Sequence, residues 1–83
     1  MAGLSNLPNI GKTLEKRLAA AGIKDIETLR KDGSREAFIK LYSIEGDTCF
    51  STLCALEGAI QGVRWHFLSN DTREDLKKFF DNK

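Results

Sequence analysis

Apolar residues recur at helical spacing from the first quarter of the chain onward. A stripe of four apolar residues, spaced four, four and three apart, opens the pattern: Ile10, Leu14, Leu18 and Ala21. This spacing places them on one face of a helix. Gly22 follows, where a left-handed residue is expected to end a helix. The pattern therefore predicts a first helix over about residues 11–21, with Lys12 and Lys16 one turn apart on its opposite face.

Four further helices are predicted from similar stripes, which are separated by glycines and capping residues. The expected second helix runs from an Asp25 cap to Gly33, and the third from a Ser34 cap to Gly46. The fourth covers about residues 48–61 after Asp47 or Thr48, and the last follows Asn70 or Asp71. No alternating run typical of a strand occurs. We therefore expect a single all-α domain over residues 1–83, a small bundle of about five short helices.

The fourth predicted helix is apolar over most of its circumference, which is typical of a helix buried at the centre of a fold. Gly58 and Gly62 indicate either a close helix crossing or a helix end. Several side chains of the neighbouring helices are predicted to point inward: Phe38, Leu41 and Tyr42 in the third, and Leu76, Phe79 and Phe80 in the last. Glu57 is expected to reach the surface or to pair with a base such as Arg64.

Composition and charge favour a globular domain without a strong overall field. The chain has 83 residues, of which 41% are apolar and 30% charged, and its net charge is +1. The charge is uneven, however. The first 24 residues hold Lys12, Lys16, Arg17 and Lys24 against Glu15 alone, a net of +3. Mild positive charge therefore gathers around the start of the first helix.

The reactive residue types predict neither catalysis nor a metal site. Cys49 and Cys54, if they share a helix, have Cα atoms about 8–9 Å apart, too far for a disulfide. We expect both to be buried in a reducing compartment. His66, the single histidine, gives no zinc pattern with them and no nucleophile–base pair. With no signal peptide or membrane span visible, the sequence predicts a cytoplasmic, non-enzymatic protein without a cofactor, a metal or a membrane partner.

The stretch Leu7-Pro8-Asn9-Ile10-Gly11-Lys12 is the main candidate for function. It lacks the preceding strand and the first glycine of a nucleotide-binding P-loop. It resembles the helix-hairpin-helix pattern Leu-Pro-Gly-Ile-Gly followed by an amphipathic helix, with Asn9 in place of the first glycine. That resemblance implies that backbone N–H groups of the turn contact a DNA phosphate, assisted by a nearby basic side chain. The alternative is that the turn only packs the first helix against its neighbour.

A wider resemblance covers about residues 4–76. The opening turn, Ala21-Gly22-Ile23, the segment Leu-Cys-Ala-Leu-Glu-Gly-Ala-Ile-Gln-Gly at 53–62 and the following Trp65 look like the C-terminal domain of the TfoX/Sxy competence regulators. The resemblance implies an all-helical fold similar to helix-hairpin-helix or SAM domains and a link to the regulation of natural transformation genes. The N-terminal domain of full-length family members has no counterpart in these 83 residues.

Two functions are expected from these observations. The first is sequence-independent association with DNA, and its predicted contacts are the backbone of Asn9, Ile10, Gly11 and Lys12 together with the side chains of Lys12, Lys16 and Arg17. The second is a protein-interaction module or homodimer that uses aromatics exposed at Trp65 and at Phe79 or Phe80. Trp65 and Phe67 are also open to two interpretations, as a stacking platform for single strands or as part of the core and its rim.

Overall fold

The computed structural model describes residues 3–46 and 49–82, which form four α-helices and two short 3-10 turns. The helices are α1 (Lys12–Ala20), α2 (Ile26–Glu45), α3 (Phe50–Gln61) and α4 (Asn70–Asn82), and the 3-10 turns are Leu4–Asn6 and Trp65–Phe67. No strand occurs in the described ranges. The all-α prediction is confirmed.

The structure has four α-helices where five were predicted, because the second and third predicted helices run together as one element across Gly33. α2 continues from Ile26 to Glu45 through Gly33, whose backbone angles are non-helical at φ 82° and ψ 165°. Glycine reaches this conformation without steric cost. The expected break is therefore present as a kink. It does not open into a loop, because helical structure resumes at once with Ser34, which is buried.

Helix ends follow the local signals where glycine or aspartate provides them. Asp25 precedes α2, and its carboxylate accepts the Thr28 backbone N–H at 2.7 Å, which lowers the pKa of Asp25. Gly46 and Gly62 follow α2 and α3 in the left-handed region, at φ 73° and 77°. Their positions confirm the predicted caps and stops at these three sites.

Two other predicted helix starts differ from the structure. α3 begins at Phe50 after Cys49, and the expected caps Asp47 and Thr48 lie outside the described residues. α4 begins at Asn70, and the hydroxyl of Ser69 accepts the Thr72 backbone N–H at 3.1 Å. Serine performs this role as well as the predicted asparagine or aspartate.

The core is built around α3, as its apolar pattern predicts, and includes buried residues of all four helices. Leu53, Leu56 and Ala59 of α3 are fully buried, and so are Phe38 and Leu41 of α2. Phe79 and Phe80 of α4 are half-buried against the Phe38 ring, with centroids 6.4 Å and 5.8 Å away. Tyr42, by contrast, was expected to point inward and is 42% exposed. No helix within the described ranges is both long and apolar enough to cross a membrane.

Candidate nucleic-acid interface

The opening turn spans Leu7 to Ile10 and is closed by a long hydrogen bond of 3.4 Å from the Ile10 N–H to the Leu7 carbonyl. Pro8 occupies its second position, and Asn9 follows with φ at 71°. This is the residue pattern of a type II turn, which requires a positive φ at the third position. Among the described residues Asn9 is the sole non-glycine with positive φ, and asparagine tolerates that region better than most residues.

The side chain of Asn9 connects this turn by hydrogen bonds to α3 and to the segment that follows α3. Its Nδ2 donates to the carbonyl of Val63 at 3.0 Å and, more weakly, to that of Ala55 at 3.5 Å. Its Oδ1 accepts the backbone N–H of Trp65 at 3.1 Å. The amide thus joins segments more than 45 residues apart in sequence. Asn9 therefore acts as a structural joint, whatever else the turn contacts.

Gly58 permits this close approach. A Cβ on Gly58 would lie 2.6 Å from Asn9 Nδ2, 2.8 Å from the Val63 carbonyl oxygen and 3.3 Å from the Trp65 Cα. Gly62, four residues later, ends the helix. Gly62 therefore marks a helix end, one of the two roles predicted for these glycines, whereas Gly58 makes a close approach to a turn and its flanking loop and not the predicted helix crossing.

The entrance to α1 is open. Gly11 precedes the helix with φ −91° and ψ −179°, and no side chain caps the first turn. The first N–H groups of a helix lack partners within the helix and attract anions. A Cβ added to Gly11 would meet nothing within 4 Å. Ile10 is buried at 4% exposure, so it can contribute only its backbone to a contact at this entrance.

The basic residues predicted to assist the turn differ in their surroundings. Lys12 and Lys16 are exposed on α1. Arg17, one third exposed, forms a two-bond ion pair with Glu45 at the end of α2, through Nε at 2.7 Å and Nη2 at 2.6 Å. The hydrogen bond from Arg17 lowers the pKa of Glu45 and raises its own. The positive charge of Arg17 is therefore largely neutralised by Glu45.

An open groove of about 520 Å³ lies beside the turn. Residues of three segments line it: Asn9, Ile10, Gly11 and Leu14; Ser51, Thr52 and Ala55; Arg64 and Trp65. Thus Gly11 and Leu14 from the entrance to α1, Ser51 and Thr52 from the first turn of α3, and Arg64 share one surface. The lining includes one cation and no carboxylate. No sequence pattern predicts Ser51, Thr52 or Arg64 at this site, because tertiary packing alone brings them to the turn.

The acidic residues near these elements have partners of their own. Glu15 lies in the first turn of α1, where its carboxylate accepts the Ser5 backbone N–H at 2.9 Å. Glu57 accepts hydrogen bonds at 2.6 Å from the buried hydroxyl of Ser34 and from Gln61. The bonds found at Glu57 thus come from Ser34 and Gln61, where the sequence suggested Arg64. Ser34 follows the kink of α2, so this bond fixes α3 to that kink.

The two cysteines have different environments, although both were expected to be buried. Cys54 is buried, and desolvation raises its pKa. Cys49 is exposed and precedes α3. Hydrogen bonds from Ser51, at 3.0 Å, and Thr52, at 3.4 Å, lower the pKa of Cys49 to about 7. Within residues 3–46 and 49–82, no three His, Cys, Asp or Glu side chains are grouped so that they could hold a metal ion.

Comparison with known proteins agrees with the wider resemblance. Residues 1–80 match the model of the TfoX C-terminal domain. The chain belongs to this family. It is 31% identical over 74 residues to "DNA transformation protein TfoX1" from Aliivibrio fischeri, a match that covers 88% of the chain and 35% of the relative. It is 33% identical over 79 residues to "Protein Sxy" from Escherichia coli, a match that covers 95% of the chain and 38% of that relative.

The TfoX C-terminal fold is also present in solved structures. An uncharacterized protein from Listeria monocytogenes, in a triclinic crystal form, shares 49% identity with the chain at a TM-score of 0.95, and the match covers 98% of the chain and 92% of that protein. A tetragonal form of a Listeria monocytogenes protein of unknown function gives 49% identity and a TM-score of 0.92, with 94% and 96% coverage. The chain spans little more than a third of the length of the two curated relatives.

Proposed function

We propose that this TfoX C-terminal domain is a non-enzymatic, cytoplasmic module that associates with DNA and takes part in regulating transformation genes. Its contact surface is the helix-hairpin-helix-like turn from Asn9 to Lys12. The observation that carries the proposal is the uncapped entrance to α1, where Gly11 leaves room for an anion and Lys12 is exposed beside it. The relative named as a DNA transformation protein supports the regulatory part.

Charge and backbone have separate tasks in this proposal. The first-turn N–H groups of α1 receive one phosphate, as helix N-termini do for anions. Lys12 and Lys16 contact phosphates from the exposed face of α1, and Arg17 is assigned a smaller share because Glu45 already binds it. Contacts of this kind position a protein on DNA without reading sequence, and they weaken steeply with salt.

The test measures duplex affinity by fluorescence anisotropy across about 50–200 mM salt. The Lys12→Ala/Lys16→Ala variant is expected to weaken binding and to reduce the salt slope by about 2, roughly one for each lost phosphate contact. Lys31→Ala changes an exposed lysine on α2 outside the groove and is the control. It is expected to change the duplex affinity and the salt slope less than the double variant does. An unchanged slope in the double variant, or no binding at the lowest salt, would refute the proposal.

Gly11→Ala separates the backbone contact from charge. The backbone angles at Gly11 suit alanine, and the added Cβ meets nothing within 4 Å, so the fold is expected to keep its stability. The methyl group would nevertheless stand where a phosphate approaches the helix entrance. We expect weaker duplex binding with an unchanged melting temperature. Full binding by this variant would show that phosphate does not approach the turn closely.

A second function is favoured by one apolar surface. Ile39 and Tyr42 on α2 are each 42% exposed, and with Phe38 and Phe79 they line a cavity of about 240 Å³. A second copy of the chain would cover these side chains in a homodimer. Sedimentation over a range of concentrations tests this, with Ile39→Lys as the disrupting variant. A monomer at every concentration would exclude the homodimer.

A further inference from the structure

The 3-10 turn Trp65–Phe67 presents aromatic rings to solvent. Phe67 is 77% exposed, the most exposed large apolar side chain among the described residues, and Trp65 is 36% exposed. The rings of Trp65 and His66 are stacked, with centroids 4.3 Å apart and planes 27° from parallel. We call these three residues the aromatic corner. The packing of the described residues leaves it uncovered, which excludes the interpretation of Phe67 as a core residue.

The corner is held in place from two sides. Arg73 of α4 donates from Nη2 to the carbonyls of Trp65, at 3.3 Å, and His66, at 2.5 Å, and its guanidinium carbon lies 6.0 Å from the centre of the Trp65 ring. From the other side the backbone N–H of Trp65 donates a hydrogen bond to Oδ1 of Asn9. The backbone of the corner and the Trp65 ring are thus held in place, so ordering them on ligand binding costs little, which favours binding.

Positive charge continues from the corner into the groove beside the opening turn. Arg64 directly precedes the corner, is exposed, and lines the groove together with Trp65 and Gly11. The ion pairs found in the described ranges involve Arg17 and Lys40 but not Arg64. An unneutralised guanidinium between exposed aromatic rings and an uncapped helix entrance complements a ligand that has phosphates at one end and flat rings at the other.

From this juxtaposition we infer that the domain binds single-stranded nucleic acid, with an unpaired base stacked on Phe67 at the aromatic corner and the adjoining phosphates running past Trp65 and Arg64 to the Asn9–Lys12 turn. This inference rests on the proposed function, because it uses the same turn for the phosphates. Phosphate contacts alone serve duplexes and single strands alike. Stacking on exposed side chains requires a free base face, which a paired base inside a duplex does not offer.

The experiment compares four fluorescein-labelled ligands of equal length by anisotropy: oligo(dT), oligo(rU), an abasic strand that keeps the phosphates without bases, and a duplex. Phe67→Ala is the main variant, because an exposed side chain can be removed without opening the core. Ile44→Ala, which removes another exposed apolar side chain from α2, is the matched control. The melting temperature of each variant shows that its fold is intact.

We expect the two single strands to bind more tightly than the abasic strand and the duplex. Phe67→Ala should weaken binding of the single strands by about 5- to 150-fold, the range for loss of one base–aromatic stack, and should leave abasic and duplex binding unchanged. Trp65, the one tryptophan of the chain, should lose fluorescence on adding oligo(dT) or oligo(rU) but not the abasic strand. A preference between the DNA and RNA strands identifies which of them the site favours.

Other outcomes would overturn the inference and can be told apart from failure of the proposed function. If Phe67→Ala leaves single-strand binding intact while Lys12→Ala/Lys16→Ala weakens all ligands, the stacking is wrong and the phosphate contact stands. If none of the four ligands binds at low salt, both are wrong. If Phe67→Ala abolishes self-association in sedimentation without changing the binding of any strand, the aromatic corner contacts protein and the inference is wrong.

Discussion

Replacing Asn9 with glycine tests whether the opening turn is held by its backbone or by the Asn9 amide. Glycine adopts the observed φ of 71° freely, so the path of the chain is retained. The change removes the bonds to Val63 and Trp65, at 3.0 Å and 3.1 Å, and the weak bond to Ala55. The effects on folding therefore arise from the lost amide, from relieved strain at the positive φ and from the greater freedom of the unfolded chain.

The expected loss follows from these three effects. Two well-formed hydrogen bonds contribute about 0.5–1.5 kcal/mol each, or about 1–3 kcal/mol together. Glycine relieves the left-handed strain of asparagine but adds unfolded-state entropy, and the two effects, each below about 1 kcal/mol, largely cancel. We expect Asn9→Gly to lower the free energy of unfolding by about 1–3 kcal/mol. Asn9→Ala should lose about 1 kcal/mol more, because alanine must still adopt a positive φ.

Urea denaturation followed by far-ultraviolet circular dichroism measures both variants. With a slope of about 1–1.5 kcal/mol per molar urea for a chain this small, the Asn9→Gly midpoint should fall by about 0.7–3 M. Asn6→Ala, at an exposed asparagine of the preceding 3-10 turn, is the control and should stay within about 0.5 kcal/mol of the wild type. An Asn9→Gly midpoint at or above that of the wild type would refute the reasoning.

Three further predictions follow from other contacts. Gly58→Ala should destabilise the fold by about 1–2 kcal/mol in urea, because overpacking against Asn9 and the Val63 carbonyl outweighs a gain of about 1 kcal/mol in helix propensity; equal stability would mean that the contact relaxes freely. Alkylation of Cys49 by iodoacetamide should rise with pH around a midpoint near 7, as followed by mass spectrometry. The Cys49→Ser variant, which keeps only the buried cysteine, should show no such step. Glu45→Gln should melt with a shallower pH dependence in acid, because the lowered pKa of Glu45 stabilises the fold above its ordinary pKa of about 4.3 and this contribution disappears as the pH falls through the folded value; parallel acid limbs would contradict the assignment.

Features encoded by neighbouring residues could be predicted from the sequence. The Asp25 cap and the left-handed Gly46 and Gly62 depend on one residue and its immediate backbone, so their positions are confirmed. The central position of α3 follows from its apolar circumference. Gly33 shows the limit of such signals, since the same glycine can end a helix or only kink it. Packing of the following segment decides between these outcomes.

Tertiary contacts decided what the sequence left open or misplaced. Tyr42 follows the apolar spacing of Phe38 and Leu41, yet it lies at the edge of the stripe and stays 42% exposed. The residues around Arg17 in α1 do not predict its ion pair with Glu45, which lies 28 residues away in sequence. Arg64 reaches the groove only because α3 ends beside the opening turn. No local sequence pattern encodes these three arrangements, so only the folded structure shows them.

The asparagine at position 9 changes which residue controls access to the turn. In the helix-hairpin-helix pattern a glycine stands there, and glycine adopts a positive φ freely. Asn9 also adopts a positive φ, 71°, which glycine would adopt at this position. Backbone groups of Val63 and Trp65 hold it there through hydrogen bonds to its side-chain amide. The backbone path toward α1 is therefore kept. Room for a phosphate depends instead on Gly11, which packing inside the protein does not require to be glycine. Glycine is also favoured over alanine at the position before a helix, and Gly11→Ala is the most direct test of whether a phosphate enters that opening.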